Sequence, residues 1–182
     1  MGSRNVRIKS VERIENVILW QSYAAKKSAM ILRAKNEGLT KAQYDKYEKK
    51  KMFHGTSADT IPKIAQQGFN RSFCGRNATA FGKGVYFALT SNYSNSYAEG
   101  WGSKQMFVCR VLVGETSQGH SDQLVPKIRV KAENIMYDST TDRMSSPEPA
   151  DIGDPAATSG VRQMYVVYHD AQAYPEYLVN YA

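Results

Sequence analysis

Met52-Phe53-His54-Gly55-Thr56 and, further along, Phe81-Gly82-Lys83-Gly84-Val85-Tyr86-Phe87-Ala88 are the two runs whose reading decides this chain. The first is an apolar strand ending in His-Gly, where glycine leaves the backbone open to a neighbour or a ligand. The second is an apolar strand entered through two glycines, and Tyr97 follows eleven positions after Tyr86. Between them, Ser57-Ala58-Asp59 offers an N-cap and Pro62 a first-turn residue, so a short helix is expected over 60–67, closed by Gly68. Residues 69–82 then form a polar, glycine-containing connection in which Asn70, Arg71 and Arg76 flank Cys74 and Gly75. Its composition reads as a mobile loop lying over a site.

Upstream, Val11, Ile14, Ile18, Ala25, Ala29 and Leu32 recur at three, four or seven positions and predict one long helix over 11–34 with a single buried stripe. Asn36-Glu37-Gly38 supplies its stop, and Thr40 with Gln43 can cap a second helix reaching about Lys49. Downstream, apolar runs of strand length lie at 85–88, 106–113, 134–137, 164–168 and 177–181. Few helical patterns separate them, so the expected class is α+β with an antiparallel or mixed sheet rather than a doubly wound one. Residues 145–160, rich in Pro, Ser, Ala, Gly and Asp, read as an exposed loop.

At 182 residues and 42% apolar content, the chain suits one domain over 4–182, with Met1-Gly2-Ser3 set aside as a cloning remnant. No apolar run reaches the roughly 18 residues needed to span a bilayer, and no signal segment opens the sequence. A soluble, intracellular protein is expected, in the cytoplasm rather than the nucleus, with no membrane partner and monomeric as an isolated domain. The net charge of +7 gathers around Lys26-Lys27, Arg33 and Lys35, and around Lys46 and Lys49-Lys50-Lys51. Both groups fall in helix-like segments where charge marks a solvated face, and only Tyr44 and Tyr47 interleave them, so nucleic acid is not the favoured partner. Cys74 and Cys109 are too few for a disulfide framework and lack metal-ligand spacing; no metal site is expected.

The runs at 52–56 and 81–88 resemble the way one enzyme family builds a pocket for a nicotinamide ring, which is flat, bears a carboxamide and is cationic while bonded to a sugar. Tyr86 and Tyr97 could face the ring, and the Gly55 backbone offers both a donor and an acceptor to the amide. Ser94, three residues before Tyr97 on an expected helix, shares its face and could direct a hydroxyl at the amide oxygen. His54 would then face sugar hydroxyls. Each residue alone has a plainer reading: tyrosine-rich strands pack cores, and a strand-end histidine is commonly a satisfied polar group. The combination carries the argument.

In order along the chain, several segments resemble the catalytic domain of the poly(ADP-ribose) polymerase family, the diphtheria-toxin-like ADP-ribosyltransferases. They are His54-Gly55-Thr56, Gly68-Phe69-Asn70-Arg71-Ser72, the 81–88 run, Ser94 with Tyr97, and Tyr168-His169-Asp170-Ala171-Gln172-Ala173-Tyr174-Pro175-Glu176-Tyr177-Leu178. The stretch 70–79 and the ending Ala173-Tyr174-Pro175-Glu176-Tyr177 resemble its mono-ADP-ribosylating branch. The resemblance implies a split antiparallel β core behind an N-terminal helical pair, with NAD+ as co-substrate in a crevice. Carried over, His54 matches the histidine of the family's His-Tyr-Glu triad and bonds the adenosine ribose. Gly55 and Ser94 hold the nicotinamide amide, Tyr97 stacks on the ring and Tyr86 forms the second wall. Thr56 and Gly68 belong to the donor site, and Asn70 lies near the adenine end.

The third triad position departs from the polymerising members. Registered on Ala171-Gln172, it falls seven residues earlier, on Met164. A thioether is no base, so chain elongation is expected to be lost while single transfer survives through an oxocarbenium-like sugar. Residues 148–161 read as an insertion at the rim, the short segment between Ser94 and Phe107 as an opening on the nicotinamide side, and no dependence on DNA breaks is expected. The implied function is NAD+-dependent mono-ADP-ribosylation of protein side chains, including automodification. The alternatives are a silent NAD+ or ADP-ribose binder and an RNA-end ADP-ribosyltransferase.

Overall fold

The computed structural model describes residues 6–71, 79–100, 102–149 and 160–182. Parts of the 69–82 connection and of the 145–160 loop lie outside these residues, as do Met1-Gly2-Ser3, Cys74 and Arg76.

The chain does not open on a helix. Strand β1 (Ile8–Arg13) comes first, and helix α1 (Val17–Asn36) follows. Asn16 sets that boundary: its side-chain oxygen accepts the Leu19 N–H at 3.1 Å, capping α1, while its amide nitrogen donates to the carbonyls of Ala65 and Gln66. One side chain therefore closes the start of α1 and the end of helix α3 (Ile61–Gln67). The stripe expected from apolar spacing is not the face the sheet selects. Ile18 and Leu32 are 75% and 59% exposed, Ala25 and Ala29 are exposed, and the buried residues of α1 are Tyr23, Met30 and Ala34. A ring with a polar tip decided this: Tyr23 packs near Trp20 and Tyr174, and its hydroxyl donates to Glu48 at 2.8 Å.

The second helix is shorter than expected. Helix α2 (Lys41–Tyr44) begins at the Thr40–Gln43 capping box, a single 3₁₀ turn covers Asp45–Tyr47, and strand β2 (Glu48–Gly55) starts there. The lysines at 49–51 thus lie on a strand, not on a helix face. Pairing with strand β4 (Lys104–Leu112) shifts register between Lys49 and Met52, a bulge that leaves Lys50 and Lys51 exposed while Lys49 pairs with Glu148.

Eight strands form one sheet. Its order is β1, β10 (Ala173–Tyr181), β4, β2, β3 (Val85–Ala88), β9 (Met164–Val167), β8 (Ser139–Thr141) and β5 (Thr116–Gln118). All neighbours are antiparallel except β5 and β8. Strands β6 (Ile128–Val130) and β7 (Ile135–Met136) make a separate ribbon. This is the expected α+β class with a largely antiparallel core. The short polar strands β5 and β8 escaped the sequence reading because a run such as Ser139-Thr140-Thr141 has no apolar alternation, although all three residues are buried.

Alternation along the strands divides the core. Val111 and Ala173 join Met52, Ile64, Phe69, Phe87 and Phe107 on one face, while Leu112 and Tyr174 join Tyr23, Met30 and Tyr47 beneath α1 on the other. The sheet is thin at one seam. Strands β2 and β3 meet through a single residue pair, Phe53 with Ala88, and then part. Among the described residues no helix is long and apolar enough to cross a membrane.

Gln172 locks the edge of this arrangement. Buried in the 3₁₀ turn Asp170–Gln172, it donates to the carbonyls of Leu112 and Asp138 and accepts from the N–H groups of Tyr168 and His169. Replacing it with leucine keeps the volume but strands four backbone groups. Gln172→Leu should cost on the order of 3 kcal/mol in urea unfolding, and a loss below about 1 kcal/mol would mean that water replaces the amide.

Candidate active site

A cavity of about 570 Å³ opens where β2 and β3 part. Three segments build it: the end of β2 with the following loop and α3, strand β3 with the start of β9, and helix α4 (Ser91–Asn95) with the turn after it. His54, Gly55, Thr56, Gly68, Asn70, Tyr86, Ser94, Tyr97 and Met164 all line this one cavity, although they span more than a hundred positions of sequence.

His54 bridges the seam. Its Nδ1 lies 2.9 Å from the Tyr86 carbonyl oxygen, and since a carbonyl can only accept, Nδ1 carries the proton and Nε2 is left as an acceptor. Burial pushes the His54 pKa below its ordinary value of 6.5, against the opposing pull of that bond, so the ring is neutral at pH 7. Phe69 and Phe87 hold the ring in place, with centroids 5.0 and 5.5 Å away. Phe69 also stands edge-on to Phe87 at 4.9 Å.

Gly55 is fixed by space as much as by exposure. A Cβ built there would sit 2.0 Å from the Ser94 carbonyl oxygen, so the α4 backbone closes directly onto it. The Phe53 carbonyl faces this side of β2, because it accepts the Ser94 hydroxyl at 3.0 Å. Two residues on, Gly55 directs its own N–H and C=O the same way. The Ser94 proton is spent on Phe53, so a ligand carbonyl at Ser94 would have to compete for it. Gly84 has a similar origin: a Cβ there would meet the Val167 carbonyl oxygen at 2.4 Å, which keeps β3 tight against β9.

Tyr86 does two jobs. Its carbonyl holds His54, and its hydroxyl accepts from the Phe81 N–H at 2.9 Å and donates to the Gly82 carbonyl at 2.8 Å, pinning the turn that leads into β3. Tyr97 sits just beyond α4, where its N–H bonds the Ser94 carbonyl at 3.1 Å, so the pair keeps a common face. Tyr93, which the sequence reading passed over, also lines the cavity. Its ring is 5.7 Å from that of Tyr97 and the hydroxyls are 3.4 Å apart; burial, then the Tyr97 hydroxyl, raises its pKa. The four-residue spacing of Tyr93 and Tyr97 beside Ser94 was the signal that could have found it.

Met164 begins β9 opposite Ala88 and is 3% exposed. Its carbonyl accepts the Thr141 hydroxyl at 2.7 Å. No ionisable group of β9 reaches the cavity; among the described residues its carboxylates are Asp59 and Glu99. Asp59 is exposed, and the Ser57 hydroxyl and then Lys63 lower its pKa. Among the described residues no three His, Cys, Asp or Glu side chains gather as they would around a metal ion.

This geometry meets a family. A model of the poly(ADP-ribose) polymerase catalytic domain matches residues 2–182. The chain is 38% identical over 180 residues to human protein mono-ADP-ribosyltransferase PARP14, covering 96% of this chain and 9% of that protein. It is 34% identical over 176 residues to mouse protein mono-ADP-ribosyltransferase PARP12 (96% and 22%) and 33% over 181 residues to mouse protein mono-ADP-ribosyltransferase PARP10 (96% and 16%). It therefore spans between about a tenth and a quarter of these relatives' length. With its antiparallel core, its parted central strands and a match running over nearly its whole length, the chain belongs to the poly(ADP-ribose) polymerase catalytic domain family.

Proposed function

We propose that residues 4–182 act as one catalytic unit that transfers a single ADP-ribose from NAD+ to a protein side chain and releases nicotinamide. The observation that carries this reading is the gathering of His54, Gly55, Ser94, Tyr86 and Tyr97 on one cavity whose β9 position is occupied by Met164. The kinship with proteins named mono-ADP-ribosyltransferases supports it.

Each part has a physical role in this reading. The Nε2 of His54 accepts a hydroxyl of the adenosine ribose, and Thr56, Gly68 and Asn70 border the rest of the donor. The N–H and C=O of Gly55 pair with the carboxamide, with Ser94 beside them. Tyr97 and Tyr86 flank the cationic ring, and stacking with charge supplies roughly 1–3 kcal/mol. The bond between ribose C1′ and the nicotinamide nitrogen breaks, its electron pair leaves with neutral nicotinamide, and an acceptor oxygen forms the new bond to C1′. A carboxylate acceptor is already ionised at neutral pH and needs no base. A sugar hydroxyl does need one, and the Met164 thioether is none, so a second unit is not added.

Purified protein incubated with labelled NAD+ should gain one or a few discrete ADP-ribose masses, and His54→Ala should gain none while still unfolding cooperatively, at a temperature lowered by loss of the bond to the Tyr86 carbonyl. Long polymers from the wild type would reject single transfer, and nicotinamide binding without any label would leave a silent binder. Donor binding should be flat through neutral pH and fall only below 6.5, because the depressed His54 pKa keeps the ring neutral. The same shift adds stability that is complete above 6.5 and is lost as pH falls toward the lower folded value, since the unfolded chain binds the proton first. A binding limb above pH 7 would contradict this assignment. Gly55→Ala should weaken NAD+ at least 10-fold and cost more than about 2 kcal/mol of stability, the range for overpacking; isothermal titration and urea unfolding check both.

A further inference from the structure

We infer that a second cavity, on the side of the sheet carrying α1, binds a phosphate monoester borne on an apolar body. Its volume is about 400 Å³, within the range of small-molecule sites, and its lining joins side chains far apart in sequence. Lys26 and Arg33 come from α1, Arg71 from the start of the 69–82 connection, and His169 from the turn before β10; Val125 and Met136 add apolar surface. This inference stands independently of the catalytic proposal.

The charge balance there favours an anion. Arg33 is matched by Asp138 at 2.5 Å, so that pair is neutral; even so, its buried Nε has no hydrogen-bond partner, and the Glu37 carboxylate stands 3.8 Å from it. Lys26 makes no hydrogen bond or ion pair among the described residues and shares this lining with His169, whose pKa is lowered by burial first and then by the Lys26 charge, with Asp170 opposing. Arg71 is anchored by donating to the carbonyls of Tyr168 and Leu124, which fix the guanidinium without neutralising it; the nearby Asp170 takes the Arg71 backbone N–H. His169 accepts the Ala171 N–H through Nδ1 at 3.1 Å, so in its neutral form the proton sits on Nε2 as a donor. A fixed guanidinium, an uncommitted ammonium and an imidazole N–H are the donor set a phosphate takes. Val125 and Met136, 45% and 39% exposed, give a phosphate's organic body apolar surface to cover.

The probe is phenyl phosphate, titrated calorimetrically into the wild type, Lys26→Gln, Lys26→Arg and His54→Ala, with inorganic phosphate and benzyl alcohol as separate arms. Saturable binding tighter than either simpler probe is expected, weakened roughly 10-fold in Lys26→Gln, as for loss of one charge-assisted bond, and retained in Lys26→Arg and His54→Ala. The His169 ring should titrate at higher pH by NMR when phenyl phosphate is bound. Absence of saturable binding, equal affinity in Lys26→Gln, or loss in His54→Ala, which would place the probe in the cavity between β2 and β3, overturns the site. Inorganic phosphate binding as tightly as phenyl phosphate overturns the apolar part.

Discussion

The cavity between β2 and β3 exists because two neighbouring strands are held together at one residue pair. Phe53 meets Ala88, and beyond that point β2 and β3 part. An open seam in a sheet leaves backbone donors and acceptors without partners, a costly state unless other groups take them. Here His54 reaches across to the Tyr86 carbonyl and the Ser94 hydroxyl takes the Phe53 carbonyl. The residues that satisfy the parted strands are therefore the ones that face the space between them. Gly55 lets α4 close over the gap with only its hydrogen atoms in the way.

The surroundings keep that seam from closing or widening. Strands β10, β4 and β2 form a continuous antiparallel block on one side, and β3, β9 and β8 form another. Gln172 ties the turn before β10 to Leu112 at the end of β4 and to Asp138 just before β8. Asn16 ties α1 to the end of α3, which forms part of the cavity's wall. Both are neutral amides buried or half-buried among backbone groups. Their two-sided hydrogen bonding connects elements without burying a charge.

The ionic groups are placed where their charge is answered. Glu48 lies under α1 with Tyr23, Lys27 and Arg110 around it, and those partners hold its pKa down despite burial. Glu148 plays the same part beside β9, bonded to Lys49 and Tyr165 with Arg162 nearby. Lys49, read in the sequence as part of a solvated helix face, is a strand residue paired with Glu148. Unanswered positive charge remains at Lys26.

The residues that line the cavity could be picked out in the sequence because their chemistry is local. A strand-end His-Gly, a glycine-entered aromatic strand and a Ser-x-x-Tyr spacing each fix a backbone conformation or a shared face within a few residues, and family likeness put them in order. Helix α3, with Pro62 in its first turn and Gly68 at its end, was legible for the same reason. The face of α1 was not. Periodicity offered Ile18 and Leu32, but burial went to Tyr23 and Met30, since a partner for the tyrosine hydroxyl exists only once Glu48 is folded beneath it. Strands β1, β5 and β8 were invisible because their polar residues become strands only through the neighbours they pair with. Sequence alone determined which residues could make this chemistry; tertiary structure decided that β2 and β3 part after a single pair, because only long-range pairing with β4 and β9 sets where each strand must lie.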